Sequence, residues 1–282
     1  MSPDAPPIKE PPLLSIMVTC YNEEDFILDT LQNVVGALKD CQIPYEVLVI
    51  DDCSKDRSVR KIQEYILNHP DQAITLKANQ VNRGLAQNYV DGAFLSSGLY
   101  YRMCCGDNAE PRDILRNVFQ YTGKADVIIP YQIQSQVEGK SPFRQFLSKL
   151  FTSLVNLISG YSITYYNGLA IHLRYNVMRY HPSSYGFGFQ ADILTRILDQ
   201  GASYLEIPSS SVDRKGAATT ALSLRNILSV AHSLLEILAR RVRNELYGKP
   251  RMDPSPSPLR SNPIRPSSAS PTGLLNTPHE KG

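Results

Sequence analysis

The feature that most constrains this chain is a rhythm. Short apolar runs alternate with segments of helical periodicity: Leu14–Cys20 then 24–39, Tyr45–Ile50 then 56–68, Ala73–Lys77 then 85–97, Tyr100–Cys105 then 111–120, and finally Asp126–Pro130. Such alternation is the signature of βαβ units. Continuous runs such as Val47-Leu48-Val49-Ile50 suit strands buried on both faces of a parallel sheet. Right-handed crossovers then bring the strand C-termini to one edge, outside which ligands of open α/β sheets bind. The fold class read from the residues is α/β, with a mainly parallel central sheet flanked by helices.

The folding unit is shorter than the chain of 282 residues. Of 20 prolines, five fall in residues 3–12 and eight in 250–278. Both stretches are rich in Pro and polar residues and too poor in apolar ones to offset the entropy of ordering them. Residues 1–12 and 249–282 are therefore expected to be tails, with a domain at 13–220 and a helix at 221–248 between them. Lys and Arg number 29 against 27 Asp and Glu, a net charge of +2, which argues against a protein that coats nucleic acid through bulk charge. No apolar run reaches the roughly 18–20 residues that span a bilayer, and the first 30 residues lack the pattern of a signal peptide. A cytoplasmic setting is expected, with a peripheral place on the cytoplasmic face of a membrane left open. The five cysteines are odd in number and several lie in apolar runs, which suits reduced, buried thiols.

Polar clusters follow the expected strands. Tyr21-Asn22-Glu23-Glu24 comes after the first, Asp51-Asp52-Cys53-Ser54-Lys55-Asp56 after the second, Asn82-Arg83-Gly84-Leu85 in the third βα unit, and Gly106-Asp107-Asn108 after the fourth. Any one of them could simply cap a helix; four on one edge point to a ligand. No Gly-x-Gly-x-x-Gly or Gly-x-x-x-x-Gly-Lys-Ser/Thr occurs, which argues against a dinucleotide enzyme or a P-loop nucleotidase. A carboxylate such as Asp51 or Asp52 can accept hydrogen bonds from a base or a ribose. Asp107 can hold a divalent ion that also binds a diphosphate.

Taken together, Leu14-Ser15-Ile16-Met17-Val18-Thr19-Cys20-Tyr21-Asn22-Glu23-Glu24, Val49-Ile50-Asp51-Asp52-Cys53-Ser54-Lys55-Asp56, Asn82-Arg83-Gly84-Leu85 and Cys105-Gly106-Asp107 resemble glycosyltransferase family 2 over about residues 13–222. Within that family they most resemble the branch acting on dolichyl and other polyprenyl phosphates. The resemblance implies a GT-A fold, a UDP- or GDP-sugar donor, a Mg²⁺ or Mn²⁺ cofactor and inversion at the anomeric carbon. It places Thr19, Tyr21 and Glu23 beside the nucleotide, Asp51 and Asp52 on base and ribose, Asn82 and Gly84 in the third donor loop, and Gly106 and Asp107 at the metal-binding Asp-x-Asp position. Thr19 stands where proline is usual. Cys105 replaces the first carboxylate of that pair, and a thiol is a poor ligand for a hard cation; Asn108 or Glu110 could compensate.

The second half matches in part. Ser141–Ser159 reads as a helix. Asn167-Gly168 stands where the branch has Ser-Gly-Phe-Arg, so Ala170 replaces an arginine expected near phosphate. Gly186-Phe187-Gly188-Phe189-Gln190-Ala191-Asp192 resembles the family's segment near the acceptor, with Asp192 the candidate base. Asp213-Arg214-Lys215-Gly216 loosely resembles its Arg-x-x-Gly-x-Ser stretch, with Arg214 or Lys215 closing over the diphosphate. The implied activity is sugar transfer to a lipid-linked or glycan acceptor, the rivals being transfer to a sugar hydroxyl with Asp192 as base, and nucleotide-sugar binding without catalysis. The last helix, about 220–246, is amphipathic and basic, fit for a membrane interface, for core packing or for a dimer contact.

Overall fold

The computed structural model describes residues 11–132, 142–180, 188–209, 224–248 and 275–276. Its elements in chain order are β1 (Leu14–Cys20), α1 (Ile27–Asp40), β2 (Tyr45–Asp51), α2 (Ser58–Asn68), β3 (Ile74–Ala78), α3 (Leu85–Leu95), β4 (Tyr100–Cys105), α4 (Arg112–Phe119), β5 (Val127–Gln132), α5 (Pro142–Ser159), β6 (Ile171–Leu173), α6 (Arg174–Arg179), α7 (Phe189–Asp199), β7 (Tyr204–Ser209), α8 (Leu224–Tyr247) and β8 (Leu275–Asn276). The strands form one sheet in the order β3-β2-β1-β4-β6-β5-β7-β8. β1 pairs in parallel with both β2 and β4, β2 with β3, and β5 with β7. The short β6 runs antiparallel to β4 and β5, and β8 antiparallel to β7.

The sheet is buried on both faces because its strands carry apolar residues at successive positions. From β1, Ile16 and Val18 enter one core with Leu31, Val34 and Leu38 of α1, while Met17 enters the other with Tyr89 and Ala93 of α3. In α1, Ile27, Leu31, Val34, Val35 and Leu38 recur every three or four residues and are all buried, so one helical stripe is enough to seat it. From β1 the chain steps outward to β2 and β3, then returns to β4 on the other side of β1. The strand order therefore reverses between β1 and β4, and the crevice outside their C-terminal ends is where an open α/β sheet takes a ligand.

At the opposite edge of the sheet, one carboxylate joins three segments. Glu46 accepts hydrogen bonds from the Ser15 hydroxyl (2.6 Å), the Ser97 hydroxyl (3.0 Å) and the backbone N–H groups of Ser97 and Gly98. Burial opposes ionisation of Glu46, but these donors outweigh it and hold the carboxyl below its usual range. A carboxyl depressed in the folded state stabilises the fold above its unfolded pKa of about 4.3. That stability disappears as the pH falls through the folded value. Glu46→Gln should accordingly cost about 1 kcal/mol at neutral pH, a modest figure because the group is only half buried. The gap between variant and parent should close below about pH 4, as read from urea midpoints across the acid range.

Candidate active site

The three loops that follow β1, β2 and β4 share an unusual backbone. Asn22, Cys53 and Asn108 have φ of 56°, 69° and 57°, a left-handed conformation that is uncommon for residues with a side chain. Such strain persists only where the surroundings over-determine it, and here the first two loops hold each other. The Ser54 hydroxyl accepts from the Asn22 N–H (2.9 Å), and the Asn22 side-chain oxygen accepts from the Lys55 N–H (2.7 Å). The Ser58 hydroxyl accepts from the Glu23 N–H, Asp56 from the Glu24 N–H, and Glu24 from the N–H and guanidinium of Arg57. Thr19 is half buried at the end of β1. Tyr21, 51% exposed, stands at the rim.

Asp51 and Asp52, adjacent in sequence, do different work. Asp51 is 1% exposed. One of its oxygens accepts from the Ser54 N–H at 3.0 Å, and the other is buried with no protein partner. A buried acceptor left unpaired is costly, and this one lies at the C-terminal end of β2, where a ligand donor can satisfy it. Asp52, by contrast, is occupied by the third loop. Its oxygens accept from the Arg83 N–H (2.8 Å), the Asn79 amide (3.1 Å) and the Gly84 N–H (2.9 Å), while the Asn82 amide donates to the Asp52 carbonyl (3.2 Å). Burial pushes the Asp52 carboxyl up, but the donors win and hold it low. Gly84, at φ +81°, makes the turn that aims its N–H at that carboxylate. Asp52, Asn82 and Gly84 thus build the wall of the site.

The strand β4 supplies the fourth loop. Gly106 lies directly against the Thr19 carbonyl, where any Cβ would collide with it, and its own carbonyl accepts from the Thr30 hydroxyl (2.9 Å). Asp107 is half buried and, among the described residues, accepts only the Ala109 N–H, at 3.2 Å. Burial pushes the Cys105 thiol well up, so it stays protonated. The two residues that could replace the missing carboxylate are each engaged in part, and the second oxygen of Glu110 is buried without a partner among the described residues. Asn108 accepts from the Asn33 amide (2.8 Å), and one oxygen of Glu110 pairs with Arg102 at 2.6 Å. Among the described residues no group of three or more His, Cys, Asp or Glu side chains could enclose a metal. What remains is the single carboxylate of Asp107, which fits a Mg²⁺-type ion whose other ligands are phosphate oxygens and water.

On the acceptor side the structure departs from the expectation. Asp192, on the first turn of α7, is 1% exposed and turned toward α8. Its oxygens accept from Arg196 at 3.0 Å and from Arg240 at 2.6 Å. Arg240 also donates to Asp199 (3.0 Å) and to the Thr195 hydroxyl. Asp192 is in this arrangement a clamp between α7 and α8. Beside it, Tyr89, Met103, Leu169, Ala170, His172, Gln190 and Ile193 line a small cavity. His172 Nδ1 and Gln190 Oε1 are buried without a partner, and burial pushes His172 down to about 4, so the ring is neutral at physiological pH. Arg214, Lys215, Gly186 and Phe187 lie outside the described residues.

Two supports of the site escape a reading by motif. Arg102, fully buried in β4, donates to the Leu169 carbonyl (2.8 Å), the Cys104 sulfur (2.9 Å) and Glu110, tying the strand to the segment before β6 and to the Asp107 loop. Its signal was a lone cation in an apolar strand. Asn88, buried on α3, accepts from Asn79 (2.8 Å) and so backs Asp52 at one remove.

This geometry defines a class: a doubly wound α/β domain whose donor-type loops meet at the β1/β4 crevice. Residues 15–179 match glycosyl transferase family 2, and the chain belongs to that family. It is 33% identical over 101 residues to a dolichyl-phosphate beta-glucosyltransferase of Dictyostelium discoideum, covering 34% of this chain and 31% of that protein. To an undecaprenyl-phosphate 4-deoxy-4-formamido-L-arabinose transferase of Pseudomonas fluorescens it is 27% identical over 162 residues, covering 54% and 44%. The chain thus spans about a third to under half of the length of these relatives. Among solved structures it resembles a mannosyltransferase of Pyrobaculum calidifontis in complex with GDP-Man and Mn²⁺ (TM-score 0.58, 20% identity, 83% of this chain and 65% of that one). It also resembles glucosyl-3-phosphoglycerate synthase of Mycobacterium tuberculosis in complex with Mn²⁺, UDP-Glc and phosphoglyceric acid (TM-score 0.59, 14% identity, 81% and 80%). The fold is GT-A.

Two substitutions test the supports. Arg240→Met leaves Asp192 and Asp199 buried without their shared cation and should cost about 3–5 kcal/mol. Asp52→Ala strips the third loop of its acceptor and should cost about 1–3 kcal/mol. Urea unfolding measures both.

Proposed function

We propose that this chain transfers a sugar from a UDP- or GDP-sugar to a polyprenyl-phosphate-type lipid acceptor, with inversion at the anomeric carbon. The observation that carries the donor half is the buried, unpartnered oxygen of Asp51 at the C-terminal end of β2. In this reading it accepts from a base N–H, and Thr19, Tyr21 and Glu23, at the end of β1 and in the loop after it, lie beside the nucleotide. Asp107 would hold Mg²⁺ or Mn²⁺ together with the donor diphosphate, and Arg214 and Lys215 are proposed to reach the same phosphates. The ion, when bound, offsets the charge that develops on the leaving diphosphate.

The acceptor half rests on Asp192. Attack by an oxygen on the anomeric carbon forms one C–O bond while the bond to the diphosphate breaks and its electron pair leaves with the phosphate. A hydroxyl acceptor must lose a proton in this step, whereas a phosphate acceptor is already ionised. Asp192 is committed to two guanidinium groups, which favours the phosphate acceptor over a sugar hydroxyl. The two curated relatives named for dolichyl and undecaprenyl phosphate support the same choice.

Ligand binding to the native state must raise thermal stability, by about 2.7 kcal/mol at a hundredfold excess over Kd. A panel of UDP- and GDP-sugars should show such a rise for one base, larger with Mn²⁺ or Mg²⁺ present. Asp51→Ala should abolish the rise, and Asp107→Asn only its metal-dependent part. Asp192→Asn should melt lower yet still transfer sugar to a short-chain polyprenyl phosphate. Retained donor binding with transfer abolished in that variant would favour a sugar hydroxyl and Asp192 as base. Donor binding without transfer by the parent would favour a non-catalytic binder, and stabilisation by no donor refutes the proposal.

A further inference from the structure

The helix α8 is seated with its sides reversed. Among its described side chains the buried positions are Ser233, Ile237, Arg240 and Asn244, recurring every three or four residues, and all but Ile237 are polar. The opposite stripe is apolar and faces outward: Leu228, Leu235, Leu238, Val242 and Leu246 are 61%, 63%, 43%, 49% and 70% exposed. An amphipathic helix of a water-facing surface buries its apolar stripe; this one buries an Arg clamp and presents leucines. α5 packs against α8 and does the same. Its Phe143, Phe146, Leu150 and Leu157 share one helical stripe and are each more than two-fifths exposed, while Val155 and Ser159 turn inward.

We infer that the outward faces of α5 and α8 form one docking surface for an anionic lipid bilayer, onto which the helices lie without crossing it. Neither helix is long and apolar enough to span a membrane. The charges bordering the stripes choose the occupant. Lys149 and Arg243 are exposed and have no ion-pair partner among the described residues, and Lys249 and Arg251 follow the helix in sequence. The acidic residues of α8 are already matched, Glu236 by Arg196 and Glu245 by Arg241 at 2.9 Å. A second copy meeting this face about a twofold axis would bring like cations together, whereas anionic headgroups complement them. The exposed aromatic rings of Phe143, Phe146 and Tyr247 suit the boundary between headgroups and acyl chains. This surface deepens the proposed function by giving the domain a place beside a lipid acceptor. It rests on that reading for its purpose alone, because lipid binding is measured without donor or acceptor.

The test is flotation of the full chain with vesicles of phosphatidylcholine, alone or with about a third phosphatidylglycerol. The parent should float with the anionic vesicles and far less with the neutral ones. The double variant Leu235→Gln and Leu246→Gln changes two exposed side chains, so the fold should survive, as an unchanged melting temperature would show. Its partition should fall roughly tenfold or more. Failure of the parent to float, or undiminished flotation of the variant, overturns the assignment. So does a stable parent dimer in sedimentation that the variant dissolves, which would give the face to a second copy. A protein that floats but is stabilised by no nucleotide sugar keeps this surface and loses the proposed transfer.

Discussion

Everything at the candidate site depends on one constraint of a parallel sheet: its strands end together, and the loops that leave them must satisfy their own backbone groups without closing the crevice. This chain meets it by making the loops donors and acceptors for one another. Ser54, Asp56 and Ser58 of the second loop accept three successive N–H groups of the first, Asn22, Glu23 and Glu24. Asp52 accepts two N–H groups of the third, and Gly106 of the fourth rests on the carbonyl of Thr19. Each polar side chain spent this way is withdrawn from ligand chemistry. The mutual bracing is what lets Asn22, Cys53 and Asn108 hold left-handed conformations.

The same logic separates the carboxylates. Of those expected to touch the donor, Asp52 accepts three donors from the third βα unit, and Asp51 keeps one oxygen without a donor among the described residues. Asp107 keeps most of its accepting capacity, because among the described residues the donor it meets is the Ala109 N–H at 3.2 Å. Replacement of the neighbouring carboxylate by Cys105 removes a charge there. Beneath it, Glu110 is paired with Arg102, which lies wholly inside the core, so on the fourth loop Asp107 is the carboxylate without an ion-pair partner among the described residues. A single carboxylate is enough only if the diphosphate brings the remaining ligands.

Much of this was legible in the residues, for identifiable reasons. The strands β1, β2 and β4 fall within a residue of the apolar runs because a strand buried on both faces carries apolar residues at most successive positions and stops where the polar loop begins. The four loop clusters were visible because they interrupt those runs abruptly. What the pattern could not give was partnership. Asp51 and Asp52 look alike in a row of letters, and only the fold of residues 79–84 around one of them tells the two apart. Asp192 read as a base because it opens a helix near the acceptor. Its two cations are supplied by Arg196, one turn on, and by Arg240, 48 residues further along the chain. The reversal of β6 was hidden because three residues carry too little pattern to show direction.

The apolar stripe on the last helix was legible too, but its direction was not. A periodicity reading groups Leu228, Leu235, Leu238 and Val242 with their neighbours on one broad face and leaves open whether that face meets a membrane, the core or a second copy. The outcome is decided by Arg240. Its guanidinium reaches Asp192, Asp199 and Thr195 together, and rotating α8 by half a turn would leave Asp192 with Arg196 alone and Asp199 without its cation. The clamp on α7 and the leucines on the surface are thus two consequences of one side chain. The same residue thus ties Asp192 to α8 and sits on the helix face opposite those leucines.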